Sequence, residues 1–363
     1  MRILHVSDVY LPRLGGIELH VRDLAGQQAA RGHDVVVVTA TPGAPLDPLV
    51  RVVVVDRWGR DDVLDALVGW ADVVHTHSSV VSPLAWVATR RATAAGVPVV
   101  LTMHSLVQRS AVVRAGWRRV GAGLGAGVRW TSVSSVGAAG LAELVPADVG
   151  VLPNGIVVEP WTRPRTVSAT ERSVVAVMRL SARKRALPLV DVLSDVRATV
   201  DASIPLRATI VGDGPQRCDV QRMLDDRGMD WVELTGRLDR TQIAHELARA
   251  DVFLAPATLE SFGIAALEAR CTGLPVVAMA RGGVGDFVTD GVEGYLVRDD
   301  ADMAARTAAL LTDADLRGTM TAASLAHRPR YDWDTVVAMT TEQYRVAEVL
   351  SASCQRRTPS VTA

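Results

Sequence analysis

Hydrophobic residues in this chain fall into short, nearly continuous β-branched runs separated by longer amphipathic stretches. Ile3–Ser7, Asp34–Thr39, Val50–Asp56, Val73–Thr76 and Val97–Thr102 are such runs. Apolar runs of this length predict strands buried on both faces, as in a parallel sheet covered by helices. Glu18–Arg31, Val80–Ala95 and Gly137–Leu144 predict helices between them, and Trp130–Ser134 and Val149–Leu152 two more strands. The alternation predicts a doubly wound α/β domain over 1–165.

The pattern breaks at Asn154–Ser173, which is rich in Pro, Thr and Arg and reads as a linker between domains. A second series follows. Ser173–Val177, Leu206–Val211, Trp231–Thr235, Asp251–Ala255, Pro275–Ala278 and Gly294–Val297 predict strands. Leu187–Val200, Pro215–Arg227, Arg240–Arg249 and Gly263–Thr272 predict helices, which gives a second Rossmann-like domain over 170–330. Two such domains are expected to face a central cleft, with ligands at the C-terminal edges of the strands. Beyond Ala301 the pattern is helical to about Leu350, and the polar tail 352–363 is expected to be disordered.

Composition narrows the function classes. The 363 residues suit two or three domains. A net charge of −1 gives no basic footprint for nucleic acid. No apolar run reaches the roughly 18 residues of a membrane span, and the apolar run at the N-terminus is too short for a signal peptide. Three widely spaced cysteines have no metal-ligand spacing and fit a reducing, cytoplasmic compartment.

Four segments carry candidate chemistry, each beside a predicted strand end. In Glu260-Ser261-Phe262-Gly263-Ile264-Ala265-Ala266-Leu267-Glu268, one carboxylate lies in the loop and the other about a turn into the helix. Ser261 is a good N-cap type, and Gly263 admits close approach to the backbone. Free amides at a helix start bind phosphate. A nucleotide-sugar diphosphate needs that set: amides for the pyrophosphate, one carboxylate for the ribose, one near the sugar. Arg179 and Lys184 follow the strand Ser173–Val177 and offer a two-donor clamp and a point charge. Gly15 and Gly16 close the first loop and open a long helix, another place for an anion. His104 follows the strand ending at Thr102 and is a candidate acid or base, since imidazole titrates near neutrality. His75 and His77 share one face of a strand, but no third metal ligand stands out beside them. Gly212-Asp213-Gly214 begins a dinucleotide fingerprint, yet Arg217 stands where its third glycine belongs, which argues against a nicotinamide cofactor.

Taken in order, these segments resemble the retaining glycosyltransferases of the GT-B fold, above all glycosyltransferase family 4. Glu260 and Glu268 match the E-x7-E signature. Arg179 to Lys184 matches Gly-Arg-Leu-x-x-x-Lys-Gly, with Met178 and Arg185 in place of the glycines. Gly15-Gly16, Thr102-Met103-His104, Gly236-Arg237-Leu238, Gly282-Gly283-Val284-Gly285-Asp286 and Asp290-Gly291 to Val297 match further landmarks. The resemblance implies a helix within 335–351 that crosses back to the first domain. It implies a nucleotide diphosphate sugar as donor and a hydroxyl-bearing small-molecule or lipid-linked acceptor. Donor contacts are expected from Gly15, Gly16, Arg179, Lys184, Gly212, Leu238, Phe262, Gly263, Ile264 and Glu268. Glu268 would hold the ribose hydroxyls, Arg179 and Lys184 the departing diphosphate, and Glu260 and His104 the sugar. The family dipeptide at His75 and His77 implies a structural role, as do the glycines at 282–285.

No cofactor and no essential metal are expected. Asp313-Ala314-Asp315 and Asp332-Trp333-Asp334 spell the Asp-x-Asp of the metal-using GT-A enzymes, but both lie in the helical C-terminal region, away from any strand end. Segment 107–127 carries Arg109, Arg114, Arg118, Arg119 and Trp117 ahead of a glycine-rich stretch. It reads as a solvated helix, a mobile acceptor lid, or a basic surface for an anionic lipid at the inner face of the membrane. Two rivals share the fold: a non-hydrolysing sugar-nucleotide epimerase, and a non-catalytic binding protein.

Overall fold

The structure is a computed structural model that describes residues 1–13, 15–44, 49–60, 62–107 and 110–357. Arg109, singled out above, and tail residues 358–363 lie outside the described residues. The chain divides into two compact units, Met1–Gly155 with Tyr331–Ala363, and Ile156–Arg330.

In the first unit, β1 (Arg2–Ser7), β2 (Asp34–Thr39), β3 (Arg51–Val54), β4 (Val73–Ser78), β5 (Val99–Met103), β6 (Val128–Ser132) and β7 (Val149–Val151) form one parallel sheet. Its order is β3-β2-β1-β4-β5-β6-β7. The helices are α1 (Gly16–Ala30), α2 (Asp62–Trp70), α3 (Pro83–Ala94), α4 (Ala111–Leu124) and α5 (Ser135–Ala142). Strand residues alternate between two faces. Leu4, Val6, Val36, Val38, Val74, Val99 and Leu101 join one apolar cluster, with Leu64, Leu84 and Trp117 from the helices. Ile3, Val35, Val37, Val73 and Val100 join a second cluster on the other face, with Val21 of α1.

In the second unit, β8 (Arg172–Val177), β9 (Leu206–Val211), β10 (Val232–Gly236), β11 (Val252–Ala255), β12 (Val276–Met279) and β13 (Gly294–Val297) form a six-stranded parallel sheet, ordered β10-β9-β8-β11-β12-β13. Around it lie α6 (Ala186–Thr199), α7 (Arg217–Asp226), α8 (Arg240–Arg249), α9 (Ile264–Cys271), α10 (Asp300–Thr312) and α11 (Ala314–Ala326). In both sheets the strand order reverses beside the first strand, between β1 and β4 and between β8 and β11. Such reversals open a crevice at the strand C-termini, where doubly wound folds bind ligands. The fold is the expected two-domain GT-B type.

Three boundaries differ from the sequence reading. α12 (Trp333–Arg357) returns to the first unit and buries Tyr344 and Ala347 against its sheet, so 352–357 are helical rather than a loose tail. Residues 156–165 belong to the second unit, not to a first domain or a linker. Trp161 is fully buried in a 3-10 turn packed on α8 and α9, and Arg165 donates to the Gly273 carbonyl and Thr321 Oγ1. α2 had no predicted counterpart. Both Asp-x-Asp spellings begin helices: Asp313 accepts from the Leu316 amide and Asp332 from the Thr335 amide.

Candidate active site

The second unit gathers the predicted donor residues other than Gly15 and Gly16 at one sheet edge. Arg179 and Lys184 lie in the loop after β8, and Glu260 lies in the loop after β11, so they flank the point where the strand order reverses. Backbone bonds fix the first loop against the next one. Met178 donates to the Val211 carbonyl, Leu180 to the Asp213 carbonyl, and Gln216 to the Leu180 carbonyl. Arg179 sits between two pinned residues and projects to solvent, with no ion pair among the described residues. Gly212, at φ +137°, is part of the same seam. A Cβ there would overlap the Met178 carbonyl oxygen, so this turn admits no side chain.

Lys184 Nζ donates to Glu260 Oε2 across the reversal point. The two groups were expected to act separately, one on phosphate and one on sugar. They neutralise each other, with side chains 33% and 17% exposed. This ion pair is the feature that sequence reading missed, since 76 residues separate its partners.

The start of α9 also differs in detail. The N-cap is Gly263 at φ +96°, not Ser261. The left-handed backbone favours glycine, and a Cβ would press on Val284 Cγ2 at 2.9 Å and Glu260 Cγ at 3.3 Å. The Gly283 amide donates to the Glu260 carbonyl at 2.8 Å, so the 282–285 turn holds the Glu260 loop. Phe262 is buried against Phe287, with ring centroids 5.4 Å apart. The Ile264 amide begins the helix. Glu268, in the next turn of α9, is half-buried; burial pushes its carboxyl up to about 8, and the Arg240 charge opposes that rise. Leu238 is half-buried in the loop between β10 and α8, whose Asp239 and Gln242 form a capping box.

The first unit presents different chemistry. Gly15 is the N-cap of α1 and Gly16 its first residue, so both lie at a helix N-terminus after β1. The buried carboxylate of Glu18 shares that helix start and pairs with Arg13 at 3.0 Å. Asp8, in the same loop, accepts from the Leu84 and Ala85 amides at 3.0 Å and caps α3.

His104 follows β5, its amide donating to the Ser78 carbonyl at 2.8 Å. The register places His5 opposite His75 and His77 opposite Thr102. These side chains share the sheet face that α1 and α12 cover. The result is a buried seam of five histidines: His5, His20, His75, His77 and His104. His77 Nδ1 lies 3.1 Å from His104 Nε2, and His77 Nε2 lies 2.9 Å from His5 Nδ1. His5 Nε2 meets Gln28 Oε1 at 2.6 Å, Gln28 Nε2 donates to Tyr344 Oη at 3.0 Å, and Tyr344 Oη meets His75 Nδ1 at 3.0 Å. His20 stacks on Trp333 at 5.7 Å and leaves Nδ1 without a partner.

Burial drives the imidazoles toward the neutral form. It lowers His5 to about 4 and His104 to about 3, and it holds His20, His75 and His77 well below their usual range. The near-neutral titration expected of His104 is therefore not met. At pH 7 it is a neutral ring that can donate at one nitrogen and accept at the other. A third imidazole that the sequence did not reveal stands beside the pair: His5, His75 and His77, and also His20, His77 and His104, bring ring nitrogens within 4.8 Å of one another. Only the strand register reveals this, because His5 and His75 are far apart in the chain.

In the 107–127 segment, α4 packs Trp117 and Leu124 inward and leaves Arg118 and Arg119 exposed. Among the described residues no helix is long and apolar enough to cross a membrane.

Residues 14–159 match the model of Glycosyltransferase Family 4, and residues 171–313 that of Glycosyl transferases group 1. The chain is 30% identical to a glycogen synthase of Mycobacterium tuberculosis, over 99% of this chain and 98% of the relative. It is 31% identical to a D-inositol 3-phosphate glycosyltransferase of Stackebrandtia nassauensis, over 80% and 72%. In fold it resembles Anabaena HepE, solved with UDP and glucose, at TM-score 0.74 and 20% identity over 94% of this chain and 99% of that one. WaaG, a glycosyltransferase involved in lipopolysaccharide biosynthesis, aligns at TM-score 0.71 and 17% identity over 96% and 99%. With one family model on each sheet and a relative matched end to end, the chain belongs to the group 1, family 4 glycosyltransferases.

Proposed function

We propose that this glycosyltransferase moves a hexose-type sugar from a nucleotide diphosphate sugar to a hydroxyl acceptor, with retention at the anomeric carbon and without a metal. The observation that carries the reading is the cationic pair Arg179 and Lys184 set across the β8–β11 reversal from Glu260 and the α9 N-terminus. A leaving diphosphate develops negative charge, and fixed cations and amides stabilise it. Arg179, Lys184, the amides of Phe262, Gly263 and Ile264, and the α1 start at Gly16 take that role. Gly212 and Leu238 border the nucleotide, and Glu268 accepts from the ribose hydroxyls. Glu260, released from Lys184, and His104 orient the sugar. The bond from C1 to the diphosphate breaks. The acceptor oxygen bonds to C1 on the same face, and its proton passes to the leaving phosphate oxygen.

The HepE complex makes UDP-glucose the first donor to try, and the relatives' names make inositol 3-phosphate and glycogen the first acceptors. The test is transfer from UDP-, GDP- and ADP-hexoses, with the product's anomeric configuration read by NMR. An α-linked product from an α-linked donor is expected. A β-linked product would overturn retention, and loss of activity in EDTA would overturn metal independence. The reading extends to peripheral lipid contact through 107–127, because Arg118, Arg119 and an 82%-exposed Val112 project from α4. Cosedimentation with anionic but not neutral vesicles is expected, and equal recovery with both would remove that extension.

A further inference from the structure

The buried seam of the first unit can be given a direction, proton by proton. At one end Thr131 Oγ1 donates to the Leu101 carbonyl at 3.3 Å. A hydroxyl has one proton, and the arrangement that also gives Thr131 the Leu101 carbonyl has Thr102 donate the 2.7 Å contact between the two threonines. Thr102 must then accept from His75, 2.7 Å away, which puts the His75 proton on Nε2. A neutral imidazole carries one N–H, so His75 Nδ1 is bare and accepts from Tyr344. Tyr344, its proton used, accepts from Gln28 Nε2, which turns Gln28 Oε1 toward His5. His5 therefore carries its proton on Nε2 and accepts at Nδ1 from His77 Nε2. His77 in turn accepts at Nδ1 from His104 Nε2.

We propose that Gln28 and Tyr344 are positioning residues for His104: through His5 and His77 they fix it as the Nε2–H tautomer, with Nδ1 presented as a hydrogen-bond acceptor. Every link is a hydrogen-bond contact between buried groups, and the far end is a backbone carbonyl that can only accept. Gln28 is the pivot, because its amide joins the two arms. Turned over, it would offer His5 a donor and require each proton between it and His104 to change nitrogen. Tyr344, on α12, holds the amide in its present sense. An acceptor at Nδ1 suits a sugar or acceptor hydroxyl, and this use of the tautomer rests on the sugar-orienting role of His104 proposed above.

The test uses the full chain with 15N-labelled histidine and long-range proton–nitrogen correlation, which distinguishes the two neutral tautomers. His104 is assigned with His104→Gln. The wild type should show His104 protonated at Nε2. Gln28→Leu removes the acceptor facing His5 and should give a mixture of His104 tautomers, with kcat down at least about fivefold and donor KM within twofold. Gln28→Glu keeps an oxygen toward His5 and should restore both tautomer and kcat, an outcome that simple repacking would not produce. An Nδ1–H tautomer in the wild type would overturn the proposal. So would an unchanged tautomer in a folded Gln28→Leu variant. A tautomer change without a change in kcat supports the relay and overturns the role of His104 in transfer. Nucleotide titration of the same variants reports separately on the second unit.

Discussion

The two units share one architecture and use it in opposite ways. Each is a parallel sheet with a reversal beside its first strand. In the second unit the reversal is flanked by charges that remain near solvent: exposed Arg179 and the part-exposed Lys184–Glu260 pair. In the first unit the strands next to the reversal carry polar side chains inward. His5 on β1 and His75 and His77 on β4 lie in the core, and His104 follows at the end of β5. A ligand's charge can be met by the first kind of edge, where cations keep partial hydration until the anion arrives. Neutral donors and acceptors of fixed orientation come from the second kind, because burial removes the charge and the network removes rotational freedom. The comparison teaches that the fold supplies the crevice and the depth of the side chains decides the chemistry.

The comparison can be broken at several points. The largest expected effect is on the second unit's seam. Gly212→Ala forces a Cβ into the Met178 carbonyl at φ +137° and should cost at least about 3 kcal/mol, read as the urea midpoint of that unit's transition. An unshifted midpoint would mean the two loops are not locked together.

Acid should separate the units next. Above pH 6.5 the buried histidines are neutral in folded and unfolded chains alike and contribute no pH dependence. Below 6.5 the unfolded chain takes up protons that the folded first unit refuses. Stability therefore falls until the folded values are reached, about 4 for His5 and 3 for His104. His5 alone corresponds to about 3 kcal/mol by pH 4. His245 and His327 of the second unit are exposed. Hydrogen exchange should thus show the first unit opening before the second between pH 6 and 4.5, and equal protection of both would contradict the assignment.

Lys184→Ala should lower kcat at least tenfold, or about 1.4 kcal/mol, while the fold survives. Near-normal turnover would remove Lys184 from the leaving-group role. The smallest effect concerns Glu268. With its carboxyl up at about 8 in the free protein, it is protonated at pH 7, and accepting ribose hydroxyls favours the carboxylate. Nucleotide binding should then release a proton and tighten as pH rises toward 8. Titration heats in phosphate and Tris should differ, and identical heats would count against the ribose contact.

Much of the fold was legible because valine-rich runs and amphipathic stretches alternate so regularly. α2 escaped because its apolar positions, Leu64, Leu67 and Val68, fill only nine residues behind a polar start. The linker was misjudged because proline and arginine signal a turn, whereas the burial of Trp161 depends on helices that lie far along the chain. Strand-end position was enough to place Arg179, Lys184, Glu260 and His104 in the loops where the structure has them. Their partners were hidden. Lys184 meets Glu260, and His5 meets His77, through strand order and register, which no local pattern encodes. The titration of His104 was misread for the same reason: its burial is a property of the neighbours.

The central claim is that the second unit's reversal edge binds a nucleotide. Calorimetric titration with UDP, GDP and ADP, in the wild type and in Glu268→Ala, tests it most directly. The account predicts selective binding of one nucleotide, weakened at least about tenfold in the variant. Folded wild-type protein that binds none of the three, or a variant that binds as tightly as the wild type, would contradict it.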